Sequence, residues 1–404
     1  MQLTRTLAAG VIAAAALAVP SGAAHAAGPG VPSVPAAAQA TTGVAGATRA
    51  VPRAAEMQAL LDAMVAGGGA TSAIARVTHG TATWRGTAGP ARLDRPGPAP
   101  VDGRFRIGSV TKTFVATVVL QLVAERRLRL EDPVQRWLPG TVPNGRNITL
   151  RHLLNHTSGL FNYTDVLVSD PDEFLRNRMR TWTPQQLVAM ATAHPPLFEP
   201  GARWSYSNTN YVLLGLVVER ATGRPYGAEV QRRILRPLGL RDTSVPGRFP
   251  LITGPHARAY APTADGPLDV TRLNPSMAYA AGEMISSTAD LNRFTSALLG
   301  GRLLPPAQLR QMTRPVPGAG YGLGLQHVVT ACGTTVYGHT GGIPNYGTFT
   351  FATADGRRQV TVSLAVWTGD PMGQLASLVD AAFCPAGAAA VRARGGAPGL
   401  TLLR

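Results

Sequence analysis

The sequence predicts a mixed α and β fold, and three observations carry that expectation. From about residue 53 to Cys384, apolar runs alternate with turn signals. Thr113 to Ala124 is apolar on nearly all sides, as in a helix buried all round. Thr348-Phe349-Thr350-Phe351 reads as a strand. In chain order, residues 1–26 come first: Arg5, then the apolar run Leu7 to Val19, broken by Pro20 and Gly22. Ala24-His25-Ala26 closes it with the small-residue pattern of a signal-peptide cleavage site. The run is too short to span a bilayer, which needs roughly 20 residues, and no later stretch is long or apolar enough. Export and release from the cell are expected. Residues 27–52, Ala/Gly/Pro-rich with no charge from Gly28 to Thr48, read as a flexible linker. Residues 53–385 are large for one core and are expected to form one unit with two lobes. The Ala/Gly-rich tail, 386–404, is expected to be disordered.

Two cysteines, Cys332 and Cys384, lie in the exported part. A disulfide is the default there, with two unpaired buried thiols as the alternative; two distant cysteines make a poor metal site. The histidines form no metal motif such as His-Glu-x-x-His, so neither metal nor cofactor is implied. The net charge of +16 is spread along the chain with no basic run and no aromatic interleaving. That pattern and export exclude nucleic acid as the partner. A monomer is the default expectation.

The basic residues are 37 arginines and a single lysine, Lys112. An amine can shuttle protons, whereas guanidinium does not deprotonate in proteins. Three residues earlier is Ser109, at the start of the apolar helix, where orphan N–H groups and the helix dipole favour an oxyanion. Positions i and i+3 share a face, so the amine can reach the hydroxyl, and burial should lower its pKa. A serine cap beside a snorkelling lysine reads this segment equally well. Two further motifs tip the balance. Tyr206-Ser207-Asn208 precedes an apolar helix, Tyr211 to Val218, and His339-Thr340-Gly341-Gly342 precedes the strand at Thr348. Each is weak alone; in this order with Ser-x-x-Lys they are strong. No Gly-x-Ser-x-Gly elbow is present, and Ser158 in His156-Thr157-Ser158-Gly159 reads as a turn shaping the cleft.

These motifs resemble the serine beta-lactamase and penicillin-binding family, and within it the secreted actinomycete D-alanyl-D-alanine carboxypeptidases. The resemblance also rests on Phe105-Arg106-Ile107-Gly108, Leu154-Asn155-His156-Thr157-Ser158-Gly159-Leu160, Ser286-Ser287-Thr288-Ala289-Asp290-Leu291 and Gly320-Tyr321-Gly322-Leu323-Gly324-Leu325. It implies an α+β, beta-lactamase/transpeptidase-like fold. An antiparallel sheet would come from C-terminal strands plus early strands near Ile74–His79 and Thr81–Gly86. A largely helical lobe would come from roughly 125–275, with the site between the two. Cys332 and Cys384 fall where the resembling enzymes have a disulfide.

The resemblance also assigns roles. Ser109 would be acylated; Lys112 and Tyr206 would relay protons, with nearby cations lowering the tyrosine's pKa. Asn208 would hold the substrate amide and orient Lys112. His339 and Thr340 would line the opposite wall, donating toward a carboxylate or Tyr206, and Gly341 would complete the motif. The N–H groups of Ser109 and Gly342 would form the oxyanion hole. The substrate would be a small molecule or a peptidoglycan peptide of the D-Ala-D-Ala type, with beta-lactams as inhibitors; an esterase or beta-lactamase is the alternative. Three positions depart from the carboxypeptidase pattern: Gln326 stands where an arginine binds the substrate carboxylate, Gly342 replaces Thr, and Met277 replaces Trp.

Overall fold

The computed structural model describes residues 50–386. The expected signal peptide at 1–26, all but the end of the linker, and the tail from 387 lie outside the described residues. The core element is a six-stranded antiparallel sheet. Its strands are β1 (Ala70–His79), β2 (Ala82–Ala88), β3 (Gln326–Val329), β4 (Thr335–Ile343), β5 (Tyr346–Thr353) and β6 (Arg358–Val366), in spatial order β2-β1-β6-β5-β4-β3. The first strand of the chain therefore pairs with the last, as Val77 opposite Val360 and Ile74 opposite Ser363 show, and β2 lies outside it at the sheet edge. Both early strands lie where the sequence placed them, with somewhat wider bounds.

Strand periodicity divides the core. Ala73, Ala75, Val77, Val360, Val362 and Leu364 share one face. That face is covered by helices α1 (Ala54–Ala66) and α5 (Met372–Phe383) through Met57, Leu61, Leu375 and Leu378. The alternate residues turn to the other face, where Ile74 joins the second cluster and the Thr361 hydroxyl donates to Asn292 at 2.7 Å. Asn292 belongs to α4 (Thr288–Leu299), whose first turn is capped by the Ser287 hydroxyl. Asp290 accepts from the Asp242 N–H and the Thr243 hydroxyl, a structural role. Cys332 and Cys384 form a disulfide that ties the loop after β3 to the end of α5.

Helix α2 (Thr111–Ala124) runs beneath this second face with its residues buried from Thr111 to Leu120. Its all-round apolar character is thus explained by packing on every side, including a stacked pair of Phe114 and Phe294. Beside it lies α3 (Asn208–Thr222), against which the short helices Leu150–Leu154 and Pro184–Thr192 pack. The helical lobe stops earlier than the expected 275. From Gly239 to Leu273 the chain is loop and one hairpin, Tyr260–Thr263 with Gly266–Asp269, and Pro246, Pro250 and Pro255 interrupt any helical run. Buried Arg106 holds this stretch down by donating to the carbonyls of Pro250, Thr271 and Leu273.

Candidate active site

The nucleophile turn is short. Gly108–Val110 forms a single 3-10 turn that leads into α2. Gly108 has a positive φ of 49°, and a Cβ there would lie 2.6 Å from the Gly342 carbonyl oxygen. Only glycine allows that backbone and that approach. On the other side, a Cβ at Gly341 would fall 2.0 Å from the Ile107 carbonyl oxygen and 3.3 Å from the Ser109 nitrogen. The third motif and the nucleophile turn therefore touch backbone to backbone.

Strand parity orients the N–H groups of β4. β3 pairs with β4 only from Thr335 to Gly338, leaving that edge of β4 open beyond it. The Thr340 N–H points to this open edge and is taken by the Gln326 side-chain oxygen at 2.9 Å. Gly342, two residues on, presents its N–H to the same edge, against the Ser109 turn. The amides of Ser109 and Gly342 thus come to one junction between β4 and the nucleophile turn, where an oxyanion would need them.

Lys112 is fully buried. Its Nζ lies 2.9 Å from Ser109 Oγ, 2.7 Å from Asn208 Oδ1 and 2.6 Å from the Ala281 carbonyl oxygen. Burial pushes its pKa well below the usual lysine value, and no carboxylate offsets this. A neutral amine donates its two hydrogens to Asn208 and Ala281 and turns its lone pair to the Ser109 hydroxyl, the geometry of a general base. Asn208 is itself fixed. Its backbone N–H and Nδ2 both donate to Asn162 Oδ1, at 2.9 and 3.2 Å, and Nδ2 also donates to Thr164. Its oxygen is therefore the atom left for Lys112.

Tyr206 sits over Lys112, with Nζ 5.0 Å from the ring centroid and the ring tilted on His156 at 4.2 Å. Its hydroxyl is buried with no partner in hydrogen-bond geometry, facing Ser109. The expectation that cations lower its pKa is corrected here. Burial pushes it above the usual tyrosine value, with Ser109 the only opposing influence, because neither Lys112 nor His339 is charged beside it. Tyr206 is a phenol that can pass a proton through its hydroxyl.

His339 is also placed differently from expectation. Both ring nitrogens are engaged away from the cleft: Nδ1 donates to the Thr340 carbonyl at 2.5 Å, and Nε2 lies 2.8 Å from the Tyr321 hydroxyl. His156 completes a directed chain. Its Nδ1 accepts from the Ser207 N–H at 3.2 Å and from Asn210, so Nε2 carries the proton and donates to Tyr321 at 3.3 Å. Tyr321 in turn donates to His339. Burial is the main cause that pushes both imidazoles down, His339 to about 3. The reason for the correction is thus burial: the third-motif side chain serves as a neutral link behind Tyr206 rather than as a cation or a substrate donor. His156 holds a left-handed φ of 61°, rare for a side chain other than glycine, which marks it as over-determined by its contacts. The sequence runs around His156 and Tyr321 were part of the resemblance, but nothing in them assigned a role. Asn162, Thr164 and the Ala281 carbonyl had no motif signal at all.

Tyr321→Phe tests this chain. It removes one hydroxyl and strands two buried imidazole nitrogens, so stability should fall by about 1–3 kcal/mol. Urea unfolding measures that loss, and 15N spectra of the labelled histidines should still show one tautomer for each ring, because the Nδ1 contacts that set them remain.

Thr340 is held on both sides by Gln326, which accepts from its N–H and donates to its Oγ1 at 3.2 Å. Ser158 donates to Asn210 at 2.6 Å and accepts from the Leu160 N–H, which fits the turn role read from the sequence.

The model of the Beta-lactamase family matches residues 57–381. Among solved structures, a D-stereospecific amidohydrolase from Streptomyces sp. is 45% identical, with a TM-score of 0.76, covering 82% of this chain and 99% of that one. The D-amino acid amidase from Ochrobactrum anthropi SV3, complexed with L-phenylalanine amide, is 29% identical, with a TM-score of 0.70, covering 80% and 97%. Among curated proteins, Esterase EstB from Burkholderia gladioli is 37% identical over 45% of this chain and 49% of its own length. The chain thus spans about half the length of the first curated relatives it matches.

Proposed function

This chain belongs to the beta-lactamase family of serine hydrolases, and from its cleft we propose that it hydrolyses amides and esters of D-amino acids through an acyl-enzyme on Ser109. The observation that carries this reading is the double clamp of Gln326 on Thr340. The carboxypeptidases that the chain resembles use an arginine at that place to bind a free carboxylate. Here the side chain is neutral and both its polar ends are spent on Thr340. His339 is neutral too. Losing such a charge-assisted contact removes roughly 1.5–3 kcal/mol of carboxylate binding. A leaving group without charge, an amine or an alcohol, suits the wall that remains. The likeness to the D-stereospecific amidohydrolase and the D-amino acid amidase supports the acyl side of the reading.

In the proposed reaction, Lys112 Nζ takes the Ser109 proton as Oγ bonds to the substrate carbonyl carbon. The oxyanion rests on the N–H groups of Ser109 and Gly342. Tyr206 gives its proton to the departing nitrogen or oxygen and recovers one from Lys112. Water then attacks the ester by the same path in reverse, releasing the D-amino acid and restoring Ser109. Beta-lactams are expected to acylate the same oxygen. The second reading, a D-Ala-D-Ala carboxypeptidase, is favoured by the motif set shared with those enzymes. Export of the chain is part of the proposal, and the Cys332–Cys384 disulfide supports it.

The two readings separate on one comparison. D-Phenylalanine amide should release ammonia faster than D-Ala-D-Ala releases alanine, and Gln326→Arg should raise the dipeptide rate by about 10-fold or more. Brisk alanine release by the wild type, undiminished next to the amide, would return the choice to the carboxypeptidase.

A further inference from the structure

A second cavity, of about 780 Å³, opens on the far side of the segment that backs the active site. Neither Ser109, Lys112 nor Tyr206 lines it; Ser276, Tyr279 and Glu283 do. The 276–283 segment is thus a wall shared by two spaces. From it the Met277 carbonyl accepts from Tyr163 at 2.8 Å, and the Ala281 carbonyl accepts from Lys112. Into the cavity it sends Glu283.

Glu283 is only 1% exposed. One of its carboxyl oxygens accepts from the Tyr226 hydroxyl, while the other, Oε2, is buried with no partner in full hydrogen-bond geometry among the described residues, although the Gly247 backbone N–H also acts on the carboxyl. An unsatisfied buried carboxyl oxygen is costly and rare, so a missing donor is indicated. The rim has the opposite character. Arg224, Arg236 and Arg248 line it, are exposed, and make no ion pair among the described residues. Their neighbour Arg232, by contrast, is paired with Glu229 at 2.8 Å. Between floor and rim, Trp182 and Leu216 give an apolar wall.

We propose that this cavity is a second ligand site, taking a small zwitterion: an amino acid or short peptide with a free amine and a free carboxylate. The amine donates to Glu283 Oε2 at the floor, the carboxylate lies among the rim arginines, and the side chain packs on Trp182 and Leu216. An acid floor and a basic rim in one cavity favour a molecule that carries both charges over one that carries a single charge. The inference does not depend on which substrate Ser109 takes.

The test is titration calorimetry on the Ser109→Ala protein, which cannot turn the probes over. L-Phenylalanine and glycylglycine are the zwitterions, with phenylacetate and phenethylamine as the single-charge controls. Both zwitterions are expected to bind if the site spans amino acids and peptides, and L-phenylalanine alone if it takes only amino acids. Each control should bind at least about 10-fold more weakly. Glu283→Gln and, separately, Arg236→Ala with Arg248→Ala should each weaken the zwitterion by about 10-fold or more. The arginine pair is exposed, so that variant reads the site even where Glu283→Gln fails to fold. Equal binding in the arginine variant, or phenylacetate binding as well as L-phenylalanine, would overturn the proposal.

Discussion

Lys112→Arg is expected to lower the rate of Ser109 acylation by about 10²–10⁴-fold although it conserves the charge. The amine has three oxygens around it at hydrogen-bond distance, all reached from a fully buried helix position. It can serve as a base only because burial disfavours its protonated form. Guanidinium stays protonated under the same burial and offers no lone pair. The sign of the pH dependence follows. Acylation needs the neutral amine, so its rate should fall as pH drops through the depressed pKa of Lys112. It should stay level through the ordinary lysine range near ~10.4. Single-turnover acylation measured against pH, in wild type and Lys112→Arg, checks both points. A rate that instead climbs through the ordinary lysine range would mean that Lys112 is charged in the resting enzyme.

Gly341→Ala is expected to lower kcat by about 10²–10³-fold, the usual result of losing an oxyanion donor. The added Cβ would meet the Ile107 carbonyl oxygen at 2.0 Å, a backbone atom that cannot rotate away. β4 must then move off the nucleophile turn and take the Gly342 N–H with it. Gly373→Ala is the control, because a Cβ there meets nothing within 4 Å. Steady-state kinetics with urea unfolding of both variants separates a displaced amide from a lost fold. A Gly341→Ala enzyme with normal kcat would place the oxyanion elsewhere.

Much of this site was legible in the residues because the chemistry restricts them so tightly. A chain that uses arginine everywhere else has kept one lysine, three residues from a serine and at the head of an apolar run. The structure brings that pair together with Tyr206, Asn208 and the Gly341–Gly342 edge. What could not be read was the hydrogen bonding of His339. A His-Thr-Gly triplet fixes neither tautomer nor direction, and its partners, Tyr321 and His156, lie far along the chain. The neutral state of this wall is a consequence of burial, which no local pattern states. The same holds for the Ala281 carbonyl, a backbone atom that any residue could supply. In the fold, long periodic segments such as α2 were clear. The stretch from Gly239 to Leu273 was not, since its prolines and glycines say where helices stop but not which strands pair.

Whether Ser109 carries the acyl group is measured directly by intact mass. Wild-type protein and Ser109→Ala would each be mixed with D-phenylalanine methyl ester or benzylpenicillin, quenched in acid over a time series, weighed, and mapped by proteolysis. One added acyl mass is expected in the wild type, on the peptide that contains Ser109, and none in Ser109→Ala. An adduct of the same mass in Ser109→Ala, or one mapped to Ser158, would contradict it.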